Sequence, residues 1–79
     1  MMFKRTGSIK LLDTVALLDD LPKRRLKRGE VGTVVEILAH NVYEVEFCDD
    51  EGRTYAELAL RRDQLIPLHN KGEALRVVA

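Results

Sequence analysis

Nucleophilic chemistry in this chain would have to start from Cys48, the single cysteine, or Ser8, the single serine. His40 and His69 are the two imidazoles that could serve as a base. A working nucleophile needs its base within hydrogen-bonding reach and a third group to orient that base. Cys48 instead follows Phe47 at the end of an alternating apolar run. A free cysteine in that place is expected to pack as a small apolar side chain at the strand end. The two histidines fall in a turn and a tail and are expected to be solvated. Two histidines and one cysteine at scattered spacing do not make a zinc site. Asp49-Asp50-Glu51 lacks the ligand spacing of a calcium loop and reads as a solvated turn. The expectation is a protein with no catalytic residue, no metal and no cofactor.

Charge is the more informative chemistry. Lysines plus arginines equal aspartates plus glutamates at 13 each, yet they are unevenly placed. Residues 1–30 carry a balance of +4, residues 31–60 of −6, and residues 61–79 of +2. Five cations crowd one short stretch, Lys23, Arg24, Arg25, Lys27 and Arg28, interrupted by Leu26. Such a cluster can steer an acidic partner or track a phosphate backbone. A neutral total argues against general nucleic-acid affinity, which depends on many phosphate contacts. Base stacking is also thinly supplied, since Phe3, Tyr43, Phe47 and Tyr55 are the only aromatic residues. Tyr55, beside Arg53 and on the face opposite Ala56, Leu58 and Leu60, is a candidate anchor for a partner protein. Grooves for proline-rich ligands are lined by several aromatics, so that ligand class is not expected.

The elements that must hold these residues read as short strands. Residues 10–18 are a strand with Val15 and Leu17 on one face; a helix competes but is cut off by Asp19-Asp20-Leu21-Pro22. Residues 19–30 make a long charged loop. Gly29 and Gly32 then allow a tight turn, with positive φ available at either. Residues 31–38 form a second strand, apolar on both faces and so expected to be central and well covered. Ala39-His40-Asn41 is a turn, and residues 42–48 alternate, with Tyr43, Val45 and Phe47 inward. Asp49-Asp50-Glu51-Gly52 is a hairpin turn in which Gly52 takes the positive φ. Residues 54–60 are the fourth strand, 61–64 a helical turn, and 65–68 a last strand that tolerates Pro67 only at an edge.

This order predicts an all-β, five-stranded SH3-like barrel over residues 9–68, with a flexible segment 1–8 and a tail 69–79. Seventy-nine residues suffice for one domain, burying roughly 60–65% of the unfolded surface. A lone cysteine excludes disulfide support and fits a reducing compartment. The apolar runs are too short to span a membrane, and no signal core follows Met1-Met2-Phe3-Lys4-Arg5. A cytoplasmic location is therefore expected. Self-association through an edge strand or the tail Leu75-Arg76-Val77-Val78 is a further expectation.

Two resemblances add to this. Arg28-Gly29-Glu30-Val31-Gly32-Thr33-Val34 resembles the basic-Gly-x-x-Gly-x-Val pattern of KOW-type modules, which implies nucleic-acid binding through the basic loop. A longer resemblance runs from Ile9 to Leu68. It is carried by Leu11-Leu12-Asp13-Thr14-Val15-Ala16-Leu17, by residues 26–36, and by Tyr43-Glu44-Val45-Glu46-Phe47. Gly52-Arg53-Thr54-Tyr55-Ala56 and Asp63-Gln64-Leu65 continue it in the same order. These residues are similar to an uncharacterised family of short bacterial proteins, domain of unknown function 4926. That resemblance implies a small protein often encoded beside another, and hence an antitoxin- or immunity-like binding partner without catalysis of its own.

Overall fold

Valine, threonine and aromatic residues concentrate in four stretches, and a computed structural model, which describes residues 9–68, shows these four and the short Leu65–Pro67 extended. The strands are β1 (Thr14–Leu17), β2 (Val31–Ala39), β3 (Val42–Cys48), β4 (Thr54–Arg61) and β5 (Leu65–Pro67). Single 3-10 turns occupy Pro22–Arg24 and Arg62–Gln64. All pairings are antiparallel, in one sheet of order β4-β3-β2-β1-β5. The all-β, five-stranded expectation holds, and the sheet is barrel-like but unclosed, leaving β4 and β5 as its edges.

The inward row of β3 builds the core. Val45 and Phe47 are fully buried, and Tyr43 nearly so. They pack with Val15, Leu17, Val34, Leu58, Leu60 and Leu65, while Ile9 and Leu26 close the ends. Pro67 sits in the edge strand β5, where its missing N–H costs no ladder bond. Asn41 (φ 61) turns the chain between β2 and β3, and Gly52 (φ 82) does so between β3 and β4.

Four expectations are corrected. The first strand is shorter than residues 10–18, because Lys10 N–H donates to Asp13 Oδ2 at 2.8 Å and Leu12 takes φ 70, folding residues 10–13 into a turn. The second strand is central in the sheet but not well covered: Ile37 and Leu38 are 50% and 45% exposed. Its mixed pattern comes from register shifts between Val34 and Glu36 and between Ile37 and Ala39, each of which resets which face a side chain takes. Cys48 is exposed rather than packed.

Gly32 is not a turn residue. It lies inside β2 opposite Val15, and only Gly29 has positive φ, at 90°. What requires glycine at 32 is space. A Cβ there would meet Val45 Cγ1 at 2.7 Å, the Glu46 carbonyl oxygen at 2.9 Å and Phe47 Cδ2 at 3.0 Å.

The two glycines should therefore fail differently. Gly32→Ala is expected to cost about 1–3 kcal/mol through overpacking, read as a lower urea midpoint. Gly29→Ala meets no atom within 4 Å but keeps its strained φ, at about 1–2 kcal/mol. Asparagine at 29 should recover much of that loss, because it tolerates positive φ. At 32 it should be worse than alanine.

Candidate functional site

The basic stretch is a folded tip, not an open loop. Pro22 presets φ for a 3-10 turn, and the Arg24 and Arg25 N–H groups donate to the Leu21 and Pro22 carbonyls at 2.9 and 3.0 Å. Arg25 then takes the left-handed conformation at φ 60 and reverses the chain. Leu21 and Leu26 bridge across the tip in both directions, at 2.8 and 3.2 Å. The Leu26 side chain, which only interrupts the cations in sequence, is 2% exposed and anchors the tip in the core.

The base of the tip is tied in the same way. Arg28 N–H donates to Asp20 Oδ1 at 2.9 Å, and Lys27 N–H to Glu30 Oε2 at 2.8 Å. Gly29 N–H reaches the Leu17 carbonyl of β1 at 2.8 Å. The backbone is thereby fixed while Lys23, Arg24, Arg25, Lys27 and Arg28 all remain exposed. Among the described residues none of the five is in an ion pair. A cleft of about 330 Å³ opens beside them, lined by Asp20, Pro22, Arg25, Leu26 and Lys27. Its lining combines two cations and one carboxylate with the apolar Pro22 and Leu26, which suits an acidic segment that also presents an apolar side chain.

Tyr55 belongs to this site by a route that alternation could not show. Phe47 pairs with Ala56 and Cys48 with Thr54, so Tyr55 is the extra residue of a β4 bulge. Its ring stays 51% exposed, with the centroid 6.4 Å from that of Phe47. The bulge interrupts the simple alternation that set it opposite Ala56. Its hydroxyl donates to Glu30 Oε1 at 2.6 Å, across 25 residues of sequence. That hydrogen bond, with lesser burial and charge effects, pushes the tyrosine pKa up to about 12. The same bond, followed by the Lys27 N–H, holds the Glu30 carboxyl below its usual range.

Arg53 is not joined to Tyr55 in an anchor. Its guanidinium pairs with Asp49 at 3.3 Å and with Glu51 at 2.5 Å, inside the β3–β4 turn. Asp49 organises that turn by accepting the Glu51 and Arg53 N–H groups, each at 2.9 Å. The Arg53 N–H is the main reason its carboxyl is lowered. One arginine thus offsets part of the charge of three carboxylates in this turn, with Asp50 in no ion pair among the described residues.

Other candidates come apart. His40 precedes β3 and Cys48 ends it, so the strand's length separates them by about 20 Å. Cys48 Sγ contacts Thr54 Oγ1 at 3.8 Å instead. Ser8, His69 and the tail segment 75–78 lie outside the described residues. Among the described residues no group of three or more His, Cys, Asp or Glu side chains could hold a metal ion. No helix there is long and apolar enough to cross a membrane.

Glu44 and Glu46, outward by their alternation, share the outer face of the sheet with Glu36 and Glu57 in pairings not readable from sequence. Register sets Glu36 opposite Glu44 and Glu46 opposite Glu57. Desolvation first, then hydrogen bonding with Glu44 and the charges of Glu44, Glu46 and Glu36, raises the Glu57 pKa. The alternation of Glu44 and Glu46 was the available signal, but their cross-strand neighbours were not readable.

Tyr55→Phe is expected to release Glu30, whose carboxyl should titrate at a higher pH when followed by carbon NMR. Glu30's lowered pKa contributes stability that is present above the ordinary carboxylate value and is lost as pH falls through the folded one. The variant should thus be less stable than the parent at neutral pH, with the gap closing in acid. A gap that stays constant across that range would remove Glu30 from the account.

Comparison with known proteins agrees with this geometry in extent. No curated protein and no solved structure matches the chain. Residues 11–67 match the family described as Domain of unknown function (DUF4926), a span that begins just before β1 and ends with β5. The chain belongs to that family.

Proposed function

We propose that this protein is a non-catalytic binding module whose basic tip captures an acidic surface of another protein. The observation that carries the reading is five exposed cations on a backbone already fixed by Leu26, Asp20 and Glu30. A preformed loop loses little conformational freedom on binding, so more of its electrostatic attraction survives as affinity. Exposed Pro22, in the lining of the adjoining cleft, supplies an apolar contact that charge alone would not. The family resemblance supports a small neighbouring protein as the partner, with the module acting antitoxin-like by covering its working surface.

Charge distribution favours this reading over nucleic acid. The outer sheet face carries Glu36, Glu44, Glu46 and Glu57, which would repel an extended phosphate backbone. KOW-like binding of nucleic acid by the same loop is the competing outcome.

The test is co-purification of the tagged full chain from its host, with and without nuclease. A stoichiometric protein that survives nuclease is the expected result. Against that partner, Arg24→Ala with Arg25→Ala should slow association by about tenfold at low salt and flatten its salt dependence. Unchanged association would remove the tip from the interface. Nucleic acid recovered alone and lost at moderate salt would replace the proposal with the KOW-like reading.

A further inference from the structure

The two edges of the sheet are treated differently by the sequence. The β5 edge is three residues long and contains Pro67, which offers no N–H. The Leu65 carbonyl is also covered, by the Arg62 guanidinium at 3.2 Å. β4 has only the bulge at Tyr55 near its start, and residues 57–61 beyond it are regular. It runs for eight residues, Thr54–Arg61, with neither proline nor lysine. Among the described residues no strand pairs with its outer side. Every second residue of such an edge presents an N–H and a carbonyl outward, a ready template for another strand.

We infer that β4 pairs antiparallel with β4 of a second copy of this chain, centred on Ala59. Residues opposite one another in an antiparallel pair share a face, so a symmetric pairing must centre on a residue, and charge selects which one. Centring on Glu57 sets that carboxylate against its own copy. Centring on Leu58 leaves it opposite Ala59. Centring on Ala59 sets Glu57 opposite the partner's Arg61, and by symmetry Arg61 opposite the partner's Glu57. Both lie on the outer face and both are exposed. On the other face, Leu58 meets the partner's Leu60, joining the two cores along the edge.

The need for a cation at this place is visible within one copy. Glu57 stands among Glu44, Glu46 and Glu36 with no cation paired to it among the described residues. Arg61 uses its Nε on Asp63 at 3.1 Å while its side chain stays 66% exposed, which leaves the guanidinium terminus free to cross to the partner. A two-fold contact of this kind is closed: it makes dimers rather than filaments.

Sedimentation equilibrium of the full chain, from micromolar to millimolar concentration, tests this with three variants. The parent should show a monomer–dimer equilibrium. Glu57→Arg and Arg61→Glu each create two like-charge contacts and should raise the dissociation constant by about tenfold. The double exchange restores both pairs and should return it to the parental value. Glu57→Arg also breaks up the glutamate cluster, so its melting temperature, taken at a concentration where the parent too is monomeric, should not fall, separating lost pairing from lost folding. A parent that remains monomeric, or a dimer indifferent to the single variants, would overturn the assignment. A double exchange no better than the singles would do the same.

Discussion

The fold depends on a missing side chain. At Gly32 the backbone of β2 passes so close to Val45, Glu46 and Phe47 that no Cβ fits. That approach lets the inward row of β3 fill the space beneath β2 and reach β1. With the row seated, Val15, Leu17, Val34, Leu58 and Leu60 surround Phe47, and the sheet curls far enough to enclose a core without joining β4 to β5. In so small a domain such enclosure is a large share of the available hydrophobic stabilisation.

Leu26 extends the same core into the loop. A stretch holding five cations would be expected to stay solvated and mobile, because a charge gains nothing from burial without a partner. One leucine reverses that for the backbone, though not for the cations. Its side chain is buried, the Leu21–Leu26 bridge closes behind it, and the charged side chains are left pointing outward. The Tyr55 hydroxyl ties the base of the loop to β4 through Glu30. Loop and sheet are therefore one mechanical unit, held by an apolar anchor at the tip and a charge-assisted hydrogen bond at the base.

Charge is sorted by the fold rather than cancelled. The cations of the tip stand on one element and the glutamates of β2, β3 and β4 on another. The acidic β3–β4 turn offsets part of its charge through Arg53. A molecule with equal numbers of both signs can thus show a partner either character, depending on the face it offers.

Much of the architecture was legible locally. The period-two pattern of residues 42–48 named its own buried face, the Asp-Asp-Glu-Gly turn called for a positive φ that Gly52 supplies, and Pro67 pointed to an edge. These depend on neighbours a few residues apart, where sterics and periodicity act directly. What sequence alone misread were places governed by residues far along the chain. Gly32 looked like a turn residue because its reason, the side chains of Val45 and Phe47, lies on another strand. Ile37 and Leu38 looked covered because register shifts cannot be read from one strand. Tyr55 sits in a bulge against β3 that alternation could not show, and its bond to Glu30 joins residues 25 positions apart. Composition and spacing alone determined that this is an all-β domain carrying a basic loop. The tertiary structure decided which way that loop points, what holds it still and which edge is left open, because each of those depends on two distant strands meeting in one register.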